Sequence, residues 1–390
     1  MKRFLIVVSL VFAFGNSFAD NIEGVLRQVE ENNLSLKALW SENEAQVLDV
    51  QSENALSGPS IEYSPFYGSG YSGVAESELI VSEEIQFPTK YAARNKQAKL
   101  QEQVGYQQYK KLRCEILLEA QQTCIDVIRV NQTLKMLNQR LSDSKSILEL
   151  YEKRMAAGDA NILEFNKVKL DCYEVMTMVT EAQNERALLL QQLEALNGGN
   201  PVDITDTEMP EYEMISDYHS YLALVLATDT DIQMAEALLN AASQEEKIQK
   251  NEWLPNISLG YRRNTDRKEY VNGVLVGVSF PIISNSKKVK AARQRKESAE
   301  LQVEQARQEA ASQLKTRYQQ LVGFQKVLDH SDVRMMEESL DLWAKALLHG
   351  EIDAITYYGE IHNLYEKLQR HIDVHCLSTK LLAELHKNEL

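Results

Sequence analysis

Proline is missing from two very long stretches of this sequence. Its seven prolines are at positions 59, 65, 88, 201, 210, 255 and 281, so residues 89–200 contain none and neither do residues 282–390. A helix interior strongly disfavours proline, and these two stretches therefore permit very long helices. Glycine is concentrated at 58–73, 198–199 and 260–277, close to the prolines.

Cysteine is scarce as well, and its spacing excludes a disulfide framework. The chain has four cysteines, Cys114, Cys124, Cys172 and Cys376, and no CxxC pair. On one helix, Cys114 and Cys124 would lie about 15 Å apart, which is too far for a disulfide bond. We expect four free thiols that pack as small apolar residues.

Long apolar runs are absent after the first 19 residues. Lys2 and Arg3 precede an apolar segment that ends in Ser17-Phe18-Ala19, which is the pattern of a secretory signal peptide over 1–19. A membrane anchor is the alternative, but the run is short for a span of about 20 residues. The net charge of −15 argues against nucleic acid or an anionic membrane surface as a partner.

Apolar residues in the proline-free stretches recur in alternating steps of three and four. Val127, Val130, Leu134 and Leu137 follow this rule, which is typical of helices that pack by knobs into holes. A single helix from Pro88 to Gly158 would be about 100 Å long. A second helix of about 70 residues is predicted between 281 and 350, and two such helices exclude a compact globule.

The apolar period changes to two within residues 59–88 and 255–281. The alternating residues include Ile61 and Tyr63 in the first segment and Val274, Val276 and Val278 in the second. Each segment predicts a β-hairpin. Each arm has about the 9–11 residues that a tilted strand needs to cross a bilayer.

The order of these elements occurs twice, which predicts a tandem duplication. The first repeat covers 20–197, with its hairpin at about 59–88, and the second covers 217–390, with its hairpin at about 255–281. Each repeat is predicted as a helix of about 35 residues, a hairpin, a helix of about 70, a glycine turn and a helix of about 35. Residues 198–216 are predicted to be the linker.

The phrases "RMAAGDANILEF" and "ALLHGEIDAITY" hold the two predicted turns. Gly158 and Gly350 lie 192 positions apart and suit the left-handed position after a helix. Asn161 and Asp353 suit the caps of the returning helices. Plain helical-hairpin turns would explain these residue types, and an entrance role is the functional alternative. Tyr357 and Tyr358 suit either packing or gating.

Assembly is predicted from the strand count. Two hairpins supply four strands, whereas the smallest transmembrane barrels have about eight, so a barrel has to be shared between chains. Two copies would give a barrel filled by side chains, and three would give twelve strands and a water-filled lumen.

Catalytic chemistry is not indicated by the residue pattern. All seven histidines follow residue 218, and His371 and His375 share a helical face. This pair could hold zinc or copper with a third ligand, but a solvated polar face explains it better. No nucleophile–base arrangement and no phosphate loop stands out. We therefore expect no enzyme activity, no cofactor and no metal site.

Four features occur together: the doubled order of elements, the signal peptide, the segments "FPTKYAARNKQA" at 87–98 and "FPIISNSKKVKAA" at 280–292, and the two G-x-x-[ND] turns. As a set, they resemble the TolC-like outer membrane efflux proteins. The resemblance implies a mainly α fold with β-hairpins. In it, a homotrimer forms an α-barrel tunnel through the periplasm of a Gram-negative bacterium, capped by a 12-stranded outer-membrane β-barrel with four strands per chain.

The resemblance also implies function and partners. The chain would be the passive outer membrane channel of a tripartite system, joined by a periplasmic adaptor to an inner-membrane pump, with heavy metals or drugs as the possible cargo. The residues expected at the periplasmic entrance and the adaptor-docking surface are Gly158, Asp159, Asn161, Glu164, Gly350, Glu351, Asp353, Thr356, Tyr357 and Glu360.

The sequence departs from this family where the short helices open. Asn33-Leu34 and Asp229-Thr230 stand where the family often has Asn-Pro. A periplasmic coiled-coil adaptor or scaffold is the alternative function, because adaptors also contain long helical hairpins. The two bilayer-length hairpins favour the channel.

Overall fold

The computed structural model describes residues 21–52, 54–55, 58–70, 72–266, 269–280 and 285–390. The predicted signal peptide and Pro281 lie outside these residues. The elements follow in the order α1 Ile22–Asn32, α2 Leu34–Ser52, β1 Ser60–Phe66, β2 Glu76–Gln86, α3 Pro88–Ala157, α4 Ile162–Leu196, α5 Tyr218–Thr228, α6 Thr230–Asn251, β3 Asn256–Asp266, β4 Glu269–Ser279, α7 Asn285–Asp329, α8 Val333–Leu348, α9 Ala354–Leu385 and a short 3-10 helix, Lys387–Glu389.

The chain forms two compact units, and each contains parts of both predicted repeats. The first unit holds residues up to 32 together with 119–212 and 323–383, and the second holds 33–118, 213–322 and 384–390. The limits of the two units therefore differ from those of the two predicted repeats. The repeat limits stay a prediction. Among the helices that the structure describes, none is long and apolar enough to cross a membrane.

The second unit contains one four-stranded antiparallel sheet in the order β1-β2-β3-β4. Its register places Tyr63 opposite Leu79, and Leu259 opposite Val276, so the predicted apolar residues share one face. This face is open: Val276 is 68% exposed. Pairs such as Ser60–Ser82 occupy the other face. The two predicted hairpins and their alternation are confirmed.

One arm of the first hairpin is shorter than predicted. Strands β2, β3 and β4 have 11 residues each, whereas β1 has 7. The reason is the glycine-rich loop that follows Phe66. Gly70 and Gly73 have φ values of 100° and 110°, which strand residues do not adopt, and the last pairing contact is the bond from Ala75 N to Phe66 O.

The helices of about 35 residues predicted before each hairpin are in fact two helices each. In the first repeat the break is at Asn33, whose Oδ1 accepts a hydrogen bond from Leu36 N at 3.1 Å. In the second it is at Asp229, whose Oδ1 accepts from Asp231 N and Ile232 N. These side chains replace the backbone acceptors that the first turn of a helix lacks, and both are buried.

The two long helices differ. Helix α3 runs without interruption through its 70 residues, as predicted. The prediction of one unbroken long helix in the second repeat is wrong, because α7 ends at Asp329 and α8 begins at Val333. Asp332 ends the run by capping α8, since its Oδ1 accepts from Met335 N at 2.9 Å.

The predicted linker is packed against helices of the first unit. Asn131 of α3 donates its amide N–H groups to Ile204 O and Asp206 O, both at 2.9 Å. Arg186 of α4 bonds Asn131 Oδ1 and Asp203. Ile204 is fully buried. Residues 198–212 of this segment are therefore an ordered part of the first unit rather than a free tether.

Helix α4 ends in consecutive left-handed glycines, which allows a matched test. Gly198 has φ +65° and Gly199 has φ +85°, but only a Cβ at Gly198 meets backbone, 2.6 Å from Asn32 O. We expect Gly198→Ala to lower the melting temperature more than Gly199→Ala, because both incur left-handed strain and only the first adds a clash, which typically costs about 1–3 kcal/mol. Thermal unfolding followed by circular dichroism measures this. Equal losses would contradict the predicted contact.

Candidate functional site

The turns at Gly158 and Gly350 have the same geometry. Gly158 N donates to Met155 O at 3.1 Å and Asp159 N donates to Arg154 O at 2.8 Å, while Gly350 N and Glu351 N make the matching bonds to Leu347 O and Ala346 O. The glycines have φ values of 78° and 73°. This pair of bonds is the Schellman arrangement, which satisfies the last carbonyls of a helix. The predicted left-handed glycines are confirmed.

The returning helices begin at the predicted caps. Asn161 Oδ1 accepts from Leu163 N at 3.0 Å, and Asp353 Oδ1 accepts from Thr356 N at 2.7 Å. The bond from Thr356 N lowers the pKa of the Asp353 carboxyl. Because the folded-state pKa is depressed, this cap is strongest when the carboxylate is ionised and weakens as pH falls through that pKa.

The structure brings the two turns together in the first unit. One hydrophobic cluster contains residues from the helices that flank both turns. Its buried members are Ile147, Tyr151, Val168, Leu347, Ala354, Tyr357, Tyr358 and Ile361. Two hairpin tips far apart in sequence therefore share one core.

The predicted entrance residues divide by exposure. Glu164 is half-buried, whereas the exposed members are Gly158, Asp159, Asn161, Gly350, Glu351, Asp353, Thr356 and Glu360. Five of the ten predicted residues are acids, and four of these acids are exposed, so both turns present carboxylates to the solvent. Tyr357 is different because its side chain is buried within the shared core.

A buried ion pair links α3 to α4 above the turns. Arg140 and Asp171 are each 3% exposed, and Arg140 Nη2 lies 2.9 Å from Asp171 Oδ1. Ser144 Oγ donates to Asp171 Oδ2 at 2.6 Å. The guanidinium also lies over the Tyr365 ring of α9, 4.8 Å from its centroid. The Arg140 guanidinium of α3 therefore contacts both α4 and α9.

Sequence reasoning missed this pair, although a signal was present. Arg140 follows Leu137 by three positions, and Asp171 follows Val168 by three. Both charged residues therefore lie on apolar faces, where a charge is expensive unless it is paired. Two opposite charges on the apolar faces of neighbouring helices therefore indicate a buried ion pair.

Three tyrosines of α9 surround the pair. The Tyr357 and Tyr358 rings are 5.0 Å apart in an edge-to-face arrangement. Burial raises the pKa of Tyr365 to about 12, and burial likewise raises the pKa of Tyr357 and of Tyr358. All three therefore remain neutral phenols at physiological pH.

The histidines of α9 and the cysteines are the residues to examine for a metal site. His371 and His375 have ring centroids 6.1 Å apart. Among the residues that the structure describes, no group of three or more His, Cys, Asp or Glu side chains could hold a metal ion. The four cysteines are free and buried, as predicted.

The sequence matches the family described as "Outer membrane efflux protein" over residues 25–199 and 221–357. A search of curated proteins finds none that matches the chain.

Solved structures share the fold over nearly the whole chain. The CmeC outer membrane channel of Campylobacter jejuni has a TM-score of 0.77 at 14% identity, covering 95% of this chain and 85% of that one. The outer membrane protein VceC of Vibrio cholerae has a TM-score of 0.75 at 15% identity, with 94% and 95% coverage. The MtrE outer membrane channel of Neisseria gonorrhoeae, in its open state, has a TM-score of 0.70 at 15% identity, with 94% and 88% coverage.

Structural similarity at 14–15% identity shows a shared fold. Family membership rests on the sequence match, which spans most of the chain and includes both glycine turns. The chain belongs to the outer membrane efflux protein family.

Proposed function

We propose that three copies of this efflux protein assemble into one passive duct through the outer membrane and periplasm. The observation that carries the proposal is the four-stranded sheet. Its apolar face is exposed, with Ile61 at 70% and Val274 at 84%, and its outer strands are β1 and β4. A lipid environment suits that face, because the apolar side chains are then removed from water.

Closure of the sheet sets the copy number. A strand edge left open in hydrocarbon costs several kcal/mol per unsatisfied backbone group, so β4 of one copy has to pair with β1 of the next. Two copies give eight strands, a size at which side chains fill the interior. Three copies give twelve strands, which leave room for a water-filled lumen.

The acidic turns form the periplasmic entrance in this proposal. Six turns in a trimer would carry repeated copies of Asp159, Glu351, Asp353 and Glu360, all exposed. Such a ring favours cations and hydrated solutes at the mouth. The same ends would dock a periplasmic adaptor, and an inner-membrane pump would supply the energy, so the duct itself needs no catalytic site.

In the same proposal, the Arg140–Asp171 pair stabilises the packing of the helices next to the entrance. It holds α3 against α4, and its cation–π contact with Tyr365 extends this link to α9. The pair thereby fixes the positions of the helices α3, α4 and α9, which lead to the two hairpin tips.

The first prediction from this proposal concerns assembly. We expect the detergent-solubilised protein to be a trimer that conducts ions in planar bilayers and to fractionate with the outer membrane. Val276→Lys should reduce membrane assembly strongly, because a lysine on the lipid face costs about 2–4 kcal/mol at mid-bilayer. The neighbouring Leu275→Lys, on the opposite face, is the control and should still assemble. A monomer that needs no detergent, or recovery from the soluble periplasm, would instead favour an adaptor.

The second prediction concerns the charge of the mouth. We expect Glu351→Gln/Glu360→Gln to lower the cation-over-anion permeability ratio, because it removes six carboxylates from a trimeric entrance. The reversal potential in a salt gradient measures this ratio, and the effect should be larger at low salt. Glu297→Gln, at an exposed position of α7, is the control. An unchanged ratio in the double variant would place the selective region elsewhere.

The third prediction concerns the buried pair. We expect Asp171→Leu to lower stability by about 3–5 kcal/mol, because Arg140 is left buried without a counter-charge. The double variant Arg140→Met/Asp171→Leu should recover much of the loss in a thermal-unfolding cycle. Glu338→Leu breaks the exposed Arg334–Glu338 pair and should cost about 1 kcal/mol or less. Additive losses at positions 140 and 171 would argue against coupling.

A further inference from the structure

The start of helix α7 carries a dense run of positive charge in a chain that is acidic overall. Residues 287–296 contain six lysines and arginines and no acid, whereas the whole chain has 42 basic and 57 acidic residues. The aligned residues 94–103 of α3 contain three basic residues and one acid. The shared plan of the two repeats therefore does not require this concentration of charge.

Five of these six cations are exposed and form no ion pair within the described part of the chain. They are here called the basic collar: Lys287, Lys288, Lys290, Arg293 and Arg295. The sixth, Lys296, is paired with Glu300 at 3.4 Å. In α3, by contrast, Lys90 and Arg94 lie 3.7 and 3.3 Å from the carboxylate of Glu252. The charge of the collar is therefore left without counter-charges, whereas part of the charge at the start of α3 is neutralised.

The collar surrounds its helix on three sides. The fourth side holds Ala292 and Ala299, which are buried and lie seven positions apart. Because successive residues are turned by about 100° in an α-helix, Lys287 and Lys290 lie opposite this buried stripe, and the other three cations lie on its two flanks. In an assembled duct, some of the cations would therefore point outward whichever side of α7 borders the lumen.

Exposed aromatic residues lie at one end of the sheet, just before the collar. Trp253 precedes β3, Phe280 follows β4, and both are more than half exposed. Strand β3 begins at Asn256, whose partner Ser279 ends β4, so both aromatic residues lie at the same end of the sheet. Transmembrane barrels carry aromatic girdles at their two membrane–water interfaces. On this basis, the end of the sheet that leads into α7 lies at the level of the lipid headgroups.

Chain length keeps the collar close to this level. Lys287 follows Phe280 by seven positions, which span at most about 25 Å even when fully extended. From Lys287 to Arg295 the helix rises by about 12 Å, which exceeds the headgroup layer of about 5–8 Å on each side of a bilayer. The amino-terminal end of α7 adds partial positive charge in the same place.

We propose that the basic collar binds the headgroups of anionic phospholipids in the periplasmic leaflet of the outer membrane. The inference rests on the proposed duct, whose sheet crosses that membrane. Lysine and arginine side chains near a bilayer are attracted by the negative potential of anionic lipids, and three copies would place three sets of these five cations around the duct. The expectation from the net charge of −15 does not extend to this segment, because exposed charges beyond about 8–10 Å are screened at physiological salt.

Lipid retention by the purified full-length protein tests the collar. The detergent-solubilised protein is mixed with equal amounts of phosphatidylglycerol and phosphatidylcholine that have the same acyl chains, and native mass spectrometry counts the lipids that stay bound. We expect phosphatidylglycerol to be retained about tenfold over phosphatidylcholine at low salt, and the ratio to fall as salt is added. Equal retention of the two lipids would overturn the proposed binding.

Triple variants of the collar separate its charge from its shape. Lys287→Gln/Lys288→Gln/Lys290→Gln should bring the retention ratio close to one, because most of the local charge is removed. Lys287→Arg/Lys288→Arg/Lys290→Arg keeps the charge and should resemble the wild type. A preference for phosphatidylglycerol that survives in the glutamine variant would show that the collar is not the binding surface.

A matched control and a conduction measurement complete the test. Lys145→Gln/Lys153→Gln/Lys169→Gln removes the same charge from exposed positions of α3 and α4 in the first unit and should keep the wild-type ratio. A loss as large as that of the collar variant would overturn the assignment, because net charge would then explain both. A trimer that conducts but retains both lipids equally would overturn the collar and leave the duct standing. A protein that prefers phosphatidylglycerol through the collar but never conducts would sink the duct and leave the headgroup site standing.

Discussion

The pairing of β2 with β3 is the constraint on which the rest of this structure depends. It runs through eleven residue pairs, from Glu76–Asp266 to Gln86–Asn256, and it joins strands from the two sequence repeats. A shift of one residue would place Val81 and Tyr261 on opposite faces, because strand side chains alternate. The correct register places most of the apolar strand residues on one face, and that exposed face is the basis for the proposed lipid environment and the proposed further copies.

Helix ends are the second organising feature. Asn33, Asp229 and Asp332 each end one helix and start another by accepting backbone N–H bonds. Gly158 and Gly350 reverse the chain through the same pair of carbonyl bonds. Both devices satisfy backbone groups that a helix leaves open, and the two hairpin tips combine them, because Asn161 and Asp353 cap the returning helices there. The left-handed glycine therefore distinguishes a hairpin tip from a break between two successive helices.

Much of the fold was predictable because its signals are local. The proline gaps, the change from period 3.6 to period 2, and the glycine–cap spacing of the turns depend only on neighbouring residues. The three helix breaks were not predicted, because Asn and Asp also occur inside helices and their capping strength depends on the surrounding packing. The Arg140–Asp171 pair was missed because its two members come from different helices, and its value depends on burial.

The sequence by itself determined the two hairpins, the left-handed glycines with their caps, and the family to which the chain belongs, since each rests on residue type and spacing. Tertiary structure alone decided three further points: that β2 pairs with β3, that both turns share one hydrophobic core, and that only the second long helix is interrupted. The physical reason is that burial and pairing depend on distances between segments. A one-dimensional pattern does not contain these distances.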